Sequence, residues 1–155
     1  MNKYMRMAIA EARKGIRNGH GGPFGAVIVK DGEVIGKGHN QVLKNNDPTA
    51  HAEIEAIRDA CKNLNSYDLS DCELYTSCYP CPMCLSAIIW SNIKKVYYGN
   101  TQEDAEEIGF RDKFIYDFIK NSNNDKNILN LECMDREETI KVFEDYIKKE
   151  DKTIY

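Results

Sequence analysis

In His51-Ala52-Glu53 a histidine and a carboxylate stand two residues apart, and downstream Pro80-Cys81-Pro82-Met83-Cys84 carries two cysteines spaced three apart. These residues offer three ligands of the kinds that zinc takes, and one acid that is left over. A catalytic zinc uses three protein ligands and keeps its fourth position for water, whereas a structural zinc is closed by four. The pattern predicts a hydrolytic centre with His51, Cys81 and Cys84 on zinc. Two thiolates and a neutral imidazole leave the zinc unit formally neutral, and metal binding lowers the pKa of water from about 15.7 towards about 7. Glu53 is then free to take that water's proton, pass it to a ring nitrogen of a substrate and finally protonate a departing amine. The implied reaction class is hydrolytic deamination of an aromatic, amidine-like carbon.

Both segments read as helix openings. Asp47-Pro48 offers an N-cap followed by proline at the first helical position, and Ile54 and Ile57 mark an apolar stripe beyond. On a helix, residues two apart project roughly 200° apart around the axis. Joint ligation by His51 and Glu53 is therefore awkward, and Glu53 reads as an acid/base group. Pro80 and Pro82 suit a helix start, and Met83 to Trp90 is an apolar run that continues it. Cys81 and Cys84 then share one face near a helix N-terminus, whose partial positive charge favours thiolates. A competing reading remains open at this level. Cys78, three residues before Cys81, could close a Cys₃His site and make a non-catalytic structural-zinc module. Such a module has no use for Glu53.

The elements that must position these residues follow from periodicity and turn chemistry. Met5, Ile9 and Ala12 predict a helix ending near Gly15. Phe24 to Lys30 and Glu33 to Asn40 predict two strands joined by an Asp31-Gly32 turn. Cys72 to Thr76 and Lys94 to Gly99 predict further strands, and Asp112 to Lys120 a helix. Ile128 to Cys133 predicts a strand and Asp135 to Lys149 a charged amphipathic helix. Alternating strands and helices predict an α/β fold with a mixed central sheet, opened by a hairpin and parallel beyond it. The 155 residues suit a single domain spanning 1–155. His20 and His39 read as surface or loop histidines, and Trp90 as helix-face packing that could reach the pocket.

Composition narrows the partners. The chain holds 21 basic and 25 acidic residues, a formal net charge of -4, which disfavours the phosphate neutralisation that nucleic-acid binding requires. A small soluble substrate is expected. No apolar run approaches the ~20 residues of a membrane-spanning helix. Met1 to Arg6 carries charge without a following hydrophobic core, so no signal peptide is expected. A reducing cytoplasm is the expected location, with Cys61, Cys72 and Cys133 as ordinary thiols.

Several stretches together resemble the cytidine deaminase superfamily, and within it the bacterial guanine deaminases. They are Gly21-Gly22-Pro23-Phe24-Gly25-Ala26-Val27, Asn46 to Glu53, Tyr75-Thr76-Ser77-Cys78, Pro80 to Cys84, Gly109-Phe110, and Phe114-Ile115-Tyr116. The resemblance runs nearly end to end, and H-x-E…P-C-x-x-C is the pattern of zinc deaminases acting on nucleobases. It implies a three-layer α/β/α sandwich, zinc on His51, Cys81 and Cys84, and Glu53 as proton shuttle converting guanine to xanthine and ammonia. It also implies a homodimer with a C-terminal segment exchanged between subunits. By matching position, Asn40 and Asp112 bind the base, Phe24 lines its face, and Tyr155 closes the pocket of a partner subunit. A carboxylate such as Asp112 suits the N–H donors on guanine's pairing edge, and an aromatic such as Phe24 can stack on the ring. Taken without the resemblance, Asp112 reads as a helix cap, Asn40 as a turn-holding residue and Phe24 as core. The match departs at Arg111, where the family favours an acidic residue. The enzymatic alternative is a tRNA adenosine deaminase, which shares both motifs but must hold an RNA stem-loop and flip a base.

Overall fold

Asp31 and Gly32 take φ of 50° and 81°, the pair of positive values a two-residue type I′ turn needs. They fold β1 (Gly25–Lys30) onto β2 (Glu33–His39). The computed structural model describes residues 1–155, which divide into two units, residues 1–116 and 117–155. In the first unit, β3 (Cys72–Cys78) and β4 (Lys95–Asn100) complete a four-stranded sheet of order β2-β1-β3-β4.

Only β3 and β4 pair in parallel, because β1 runs antiparallel to both of its neighbours. The expectation of parallel pairing beyond the hairpin therefore fails at β1–β3. The cause is placement: the crossover through α3 (Ala52–Leu64) does make β2 and β3 parallel to each other, but β1 occupies the position between them.

Side chains of β1 alternate between two apolar layers, as a pleated strand requires. Ala26 and Ile28 pack with Ala52, Ala56 and Ala60 of α3 and with Ile88 of α4 (Pro82–Trp90). Val27 and Val29 face the other way, with Tyr75, Tyr4 and Met7. Tyr4 and Met7 belong to α1 (Lys3–Arg17), which the Asn2 side chain caps by accepting from the Tyr4 and Met5 amides. Helices thus cover both faces of the sheet. Small residues let α3 approach closely, and a Cβ at Gly38 would lie 2.3 Å from the Ala52 carbonyl oxygen. That contact fixes the end of α3 that carries His51 and Glu53.

Asp47-Pro48 does not open α3. Asp47 Oδ1 instead accepts from the Thr49 amide at 2.8 Å and its hydroxyl at 2.7 Å, a local turn that competes with capping. The cap position falls to His51, with extended φ and ψ of -75° and 160° and no capping bond from its side chain. The imidazole is thereby left for other work.

Short helices α2 (Val42–Asn45) and α5 (Gln102–Glu107) follow β2 and β4, the latter held by a Thr101/Asp104 capping box. Helix α6 (Lys113–Lys120) crosses from the first unit into the second, which also contains α7 (Arg136–Lys148). The strand expected at Ile128 to Cys133 does not form. The Ile128 and Leu129 amides bond the Asp125 carbonyl in a turn, and the 117–155 unit holds no strand with which this segment could pair.

Candidate metal centre and substrate cavity

Cap geometry brings the three expected ligands together. His51 caps α3 and Cys81 caps α4, where its sulfur accepts from the Cys84 amide. His51 Nδ1 lies 3.5 Å from Cys81 Sγ and 3.6 Å from Cys84 Sγ, and all three ligand atoms fall within 4.8 Å of one another. Zn–S bonds near 2.3 Å and Zn–N bonds near 2.05 Å in a tetrahedron require N···S edges of about 3.6 Å. The donor set and its two N···S edges therefore fit zinc.

Charge around the cluster is strongly perturbed. Hydrogen bonding from Cys84 and His51 holds Cys81 down at about 4, against the cost of its burial. The reciprocal bond and burial push Cys84 up, and the Cys81 sulfur raises His51. Cys81 and its neighbours are close enough to share protons, which is the same closeness that brings their lone pairs to one point.

Glu53 is 6 % exposed and receives a hydrogen bond from the Thr76 hydroxyl at 3.0 Å. Burial pushes its carboxyl above the usual range, partly opposed by hydrogen bonds from its own amide and from Thr76. A raised carboxyl pKa near a hydrolytic centre suits a group that must both take and give a proton near neutrality. Thr76 lay within a stretch that carries the resemblance, but residue type alone did not signal its bond to Glu53.

Cys78 stands apart from the ligand group. Its thiol contacts the Thr101 carbonyl at 3.5 Å, and burial, with Glu53 and Asp112 nearby, pushes its pKa up to about 11. A closed Cys₃His site needs a third sulfur beside the histidine, and the Cys78 sulfur is not among the ligand atoms gathered with His51, Cys81 and Cys84. Cys78→Ser is expected to retain its zinc through dialysis, at the metal content of the parent by elemental analysis. Loss of the metal would put Cys78 back among the ligands.

A cavity of about 620 Å³ opens beside the cluster. His51, Glu53, Cys81, Phe24, Asn40 and Asp112 all line it. Phe24 meets Phe110 edge-to-face with ring centroids 5.0 Å apart, so one wall is aromatic. Asn40 is buried, and its Oδ1 accepts from the Gly22 and Val42 amides at 3.2 Å each. With that oxygen committed, the Asn40 amide is left as a donor towards a ligand. Asp112 starts α6 with its carbonyl, which accepts from the Ile115 and Tyr116 amides. Its carboxyl lines the cavity, where burial raises its pKa and the Cys81 charge adds to the shift. Tyr155 lies in the 117–155 unit and is 78 % exposed. Trp90 is 68 % exposed on α4 and is not part of the cavity lining. His39, expected on the surface or in a loop, ends β2 and is buried between Glu11 and His20.

Comparison with known proteins agrees with this geometry. Residues 1–100 match the cytidine and deoxycytidylate deaminase zinc-binding region. The chain is 58 % identical over 113 residues to guanine deaminase from Bacillus subtilis (strain 168), covering 73 % of this chain and 72 % of the relative. It is 46 % identical over 96 residues to a tRNA-specific adenosine deaminase from Aquifex aeolicus (strain VF5), covering 62 % and 63 % respectively. The X-ray structure of guanine deaminase from Bacillus subtilis superimposes with a TM-score of 0.92 at 45 % identity, covering 100 % of this chain and 99 % of that one. The 45 % figure is lower than the 58 % because it is taken over the whole chain.

Proposed function

Because the chain belongs to the cytidine and deoxycytidylate deaminase zinc-binding family, we propose that it is a zinc-dependent aminohydrolase that converts guanine to xanthine and ammonia. The observation that carries this reading is a buried Glu53 beside a three-ligand cluster at the wall of an aromatic cavity that also holds Asp112. The similarity to guanine deaminase favours guanine over an RNA adenosine, since tRNA-specific adenosine deaminases match the chain at lower identity.

His51, Cys81 and Cys84 would hold the zinc, which would supply a Lewis acid and lower the pKa of a bound water towards about 7. Glu53 has one oxygen fixed by Thr76; its carboxylate takes the proton of the attacking water and delivers it to a ring nitrogen. Glu53 then takes the second proton from the newly added hydroxyl and passes it to the exocyclic nitrogen; as the C–N bond breaks, that nitrogen leaves as ammonia and the carbon becomes a carbonyl. Phe24 and Phe110 shape a slot for a flat ring, and the Asn40 amide donates to an acceptor on the base. Asp112 accepts from the N–H donors of guanine's pairing edge, a charge-assisted bond. Adenine and cytosine lack that ring N–H donor.

Asp112→Asn tests the base-reading role. Losing one charge-assisted hydrogen bond is expected to cost about 2 kcal/mol, a fall of roughly 30-fold in kcat/KM for guanine. An unchanged kcat/KM would return Asp112 to the role of a helix-starting residue.

The assembly belongs to the same proposal: a homodimer in which the C-terminal segment is exchanged and Tyr155 closes the partner's cavity. What supports it is apolar exposure. Ile89 and Trp90 of α4 are 66 % and 68 % exposed, and Val142, Phe143 and Ile147 of α7 are 65 %, 68 % and 67 % exposed. An amphipathic helix with an uncovered apolar stripe is a typical docking element. Removal of Thr153 to Tyr155 is expected to raise KM for guanine about tenfold or more, since a closing aromatic supplies both contact and water exclusion. Unchanged kinetics after truncation would remove Tyr155 from the site. No helix is long and apolar enough to cross a membrane. None of the six cysteines is paired in a disulfide, which supports a reducing cytoplasm as the location.

A further inference from the structure

A second polar cluster lies behind the cavity wall. His39, the last residue of β2, is 6 % exposed, and its Nδ1 lies 2.9 Å from Oε2 of Glu11 on α1. On the other side, His39 Nε2 lies 2.8 Å from His20 Nδ1. The two imidazoles are 21° from coplanar with centroids 5.1 Å apart, the separation of an in-plane hydrogen bond between ring nitrogens and too long for face-to-face stacking. Glu11, His39 and His20 therefore form a linear chain, with Lys14 Nζ 3.8 Å from the other Glu11 oxygen.

Each link holds one proton. The chain is satisfied when His39 donates from Nδ1 to the Glu11 carboxylate and accepts at Nε2 from His20 Nδ1–H. Burial, with Lys44, His39 and Lys14 nearby, holds His20 below the usual imidazole range.

The far end of the chain carries the backbone around Asn40. The His20 carbonyl accepts from the Leu43 and Lys44 amides at 3.0 Å each. Gly22, two residues after His20, donates to Asn40 Oδ1, and Val42 does so from the other side. Gly21 passes so close that a Cβ there would lie 2.0 Å from Asn40 Oδ1. Gly21, Gly22, Asn40, Val42 and Leu43 all face the cavity.

We propose that the Glu11–His39–His20 chain is a positioning device for the substrate: it braces the 20–22 and 42–44 segments around Asn40 and so fixes which way that amide presents its donor. The proposal rests on the reading of Asn40 as a base contact. Asn40 is the residue that touches substrate, and His39 and His20 act through it.

The test measures kcat and KM for guanine on zinc-loaded His39→Leu, His20→Ala, His39→Gln and Asn40→Ala proteins beside the parent. His39→Leu and His20→Ala are expected to raise KM about tenfold, the upper end of what one hydrogen bond carries, while kcat stays within about threefold. His39→Gln is expected to restore most of the loss, because its amide can donate to Glu11 and accept from His20. His20 is only half-buried, so His20→Ala keeps the test open if His39→Leu does not fold. A parental KM in His20→Ala and His39→Leu, with Asn40→Ala impaired, would overturn the proposal. So would a Gln variant as poor as the Leu one, or a fall in kcat alone. A parental KM in Asn40→Ala is a different failure, which removes the base-contact reading itself.

Discussion

Glu53→Gln is expected to lower kcat for guanine by about 10³-fold or more while zinc stays bound at the parental content. General acid–base catalysis by one positioned group contributes about 10²–10⁴-fold, and here one carboxylate serves every proton transfer in the cycle. Glutamine keeps the shape and can still accept from the Thr76 hydroxyl, which bonds Glu53 at 3.0 Å. What it loses is the ability to take up and return a proton. Because Glu53 is not one of the three ligand atoms within 4.8 Å of one another, the metal content should not follow the activity. Unchanged turnover would sink the shuttle. Loss of zinc together with turnover would mean that Glu53 supports the metal itself.

Cys84→Ala is expected to lose both. Cys84 is 1 % exposed, and its sulfur lies 3.6 Å from His51 Nδ1. Its removal leaves two ligands where a catalytic zinc needs three. Altering groups that merely orient a zinc ligand costs roughly 10–100-fold in affinity, and deleting the ligand should exceed that. The variant should therefore emerge with little metal by elemental analysis and with guanine turnover at background. Zinc bound to the folded chain alone adds stability in proportion to the logarithm of its concentration over Kd. A chelator should accordingly lower the parent's melting temperature and leave that of Cys84→Ala unchanged. Full metal content in the variant would require a different ligand set.

Residue type and spacing were enough to identify the metal cluster because zinc chemistry is local. Two helix openings with a histidine and a Cys-x-x-Cys pair need little more than the loops that precede them. The Asp31-Gly32 turn was equally legible, since its two positive φ values are a backbone requirement that few residue pairs meet. Placement was not. Nothing in β1 alone says that it inserts between β2 and β3, because that order depends on how α3 crosses the sheet. Ile128 to Cys133 has strand-like residues, but a strand exists only where an edge is offered to it, and its unit has none. Asp47-Pro48 carries a cap signature and spends it on Thr49. His39 looked like a loop histidine because its partners, Glu11 and His20, come from elements distant in sequence.

The most direct measurement is ammonia release by purified, zinc-loaded protein from guanine, adenine, cytosine, cytidine, guanosine and a tRNA anticodon stem-loop, run in parallel. Selective turnover of guanine, with xanthine formed in equal amount, is the expected result. Turnover of the stem-loop alone would contradict it and make the chain an RNA-editing enzyme. Zinc binding without turnover of any of the six would leave the His51, Cys81 and Cys84 cluster a structural site.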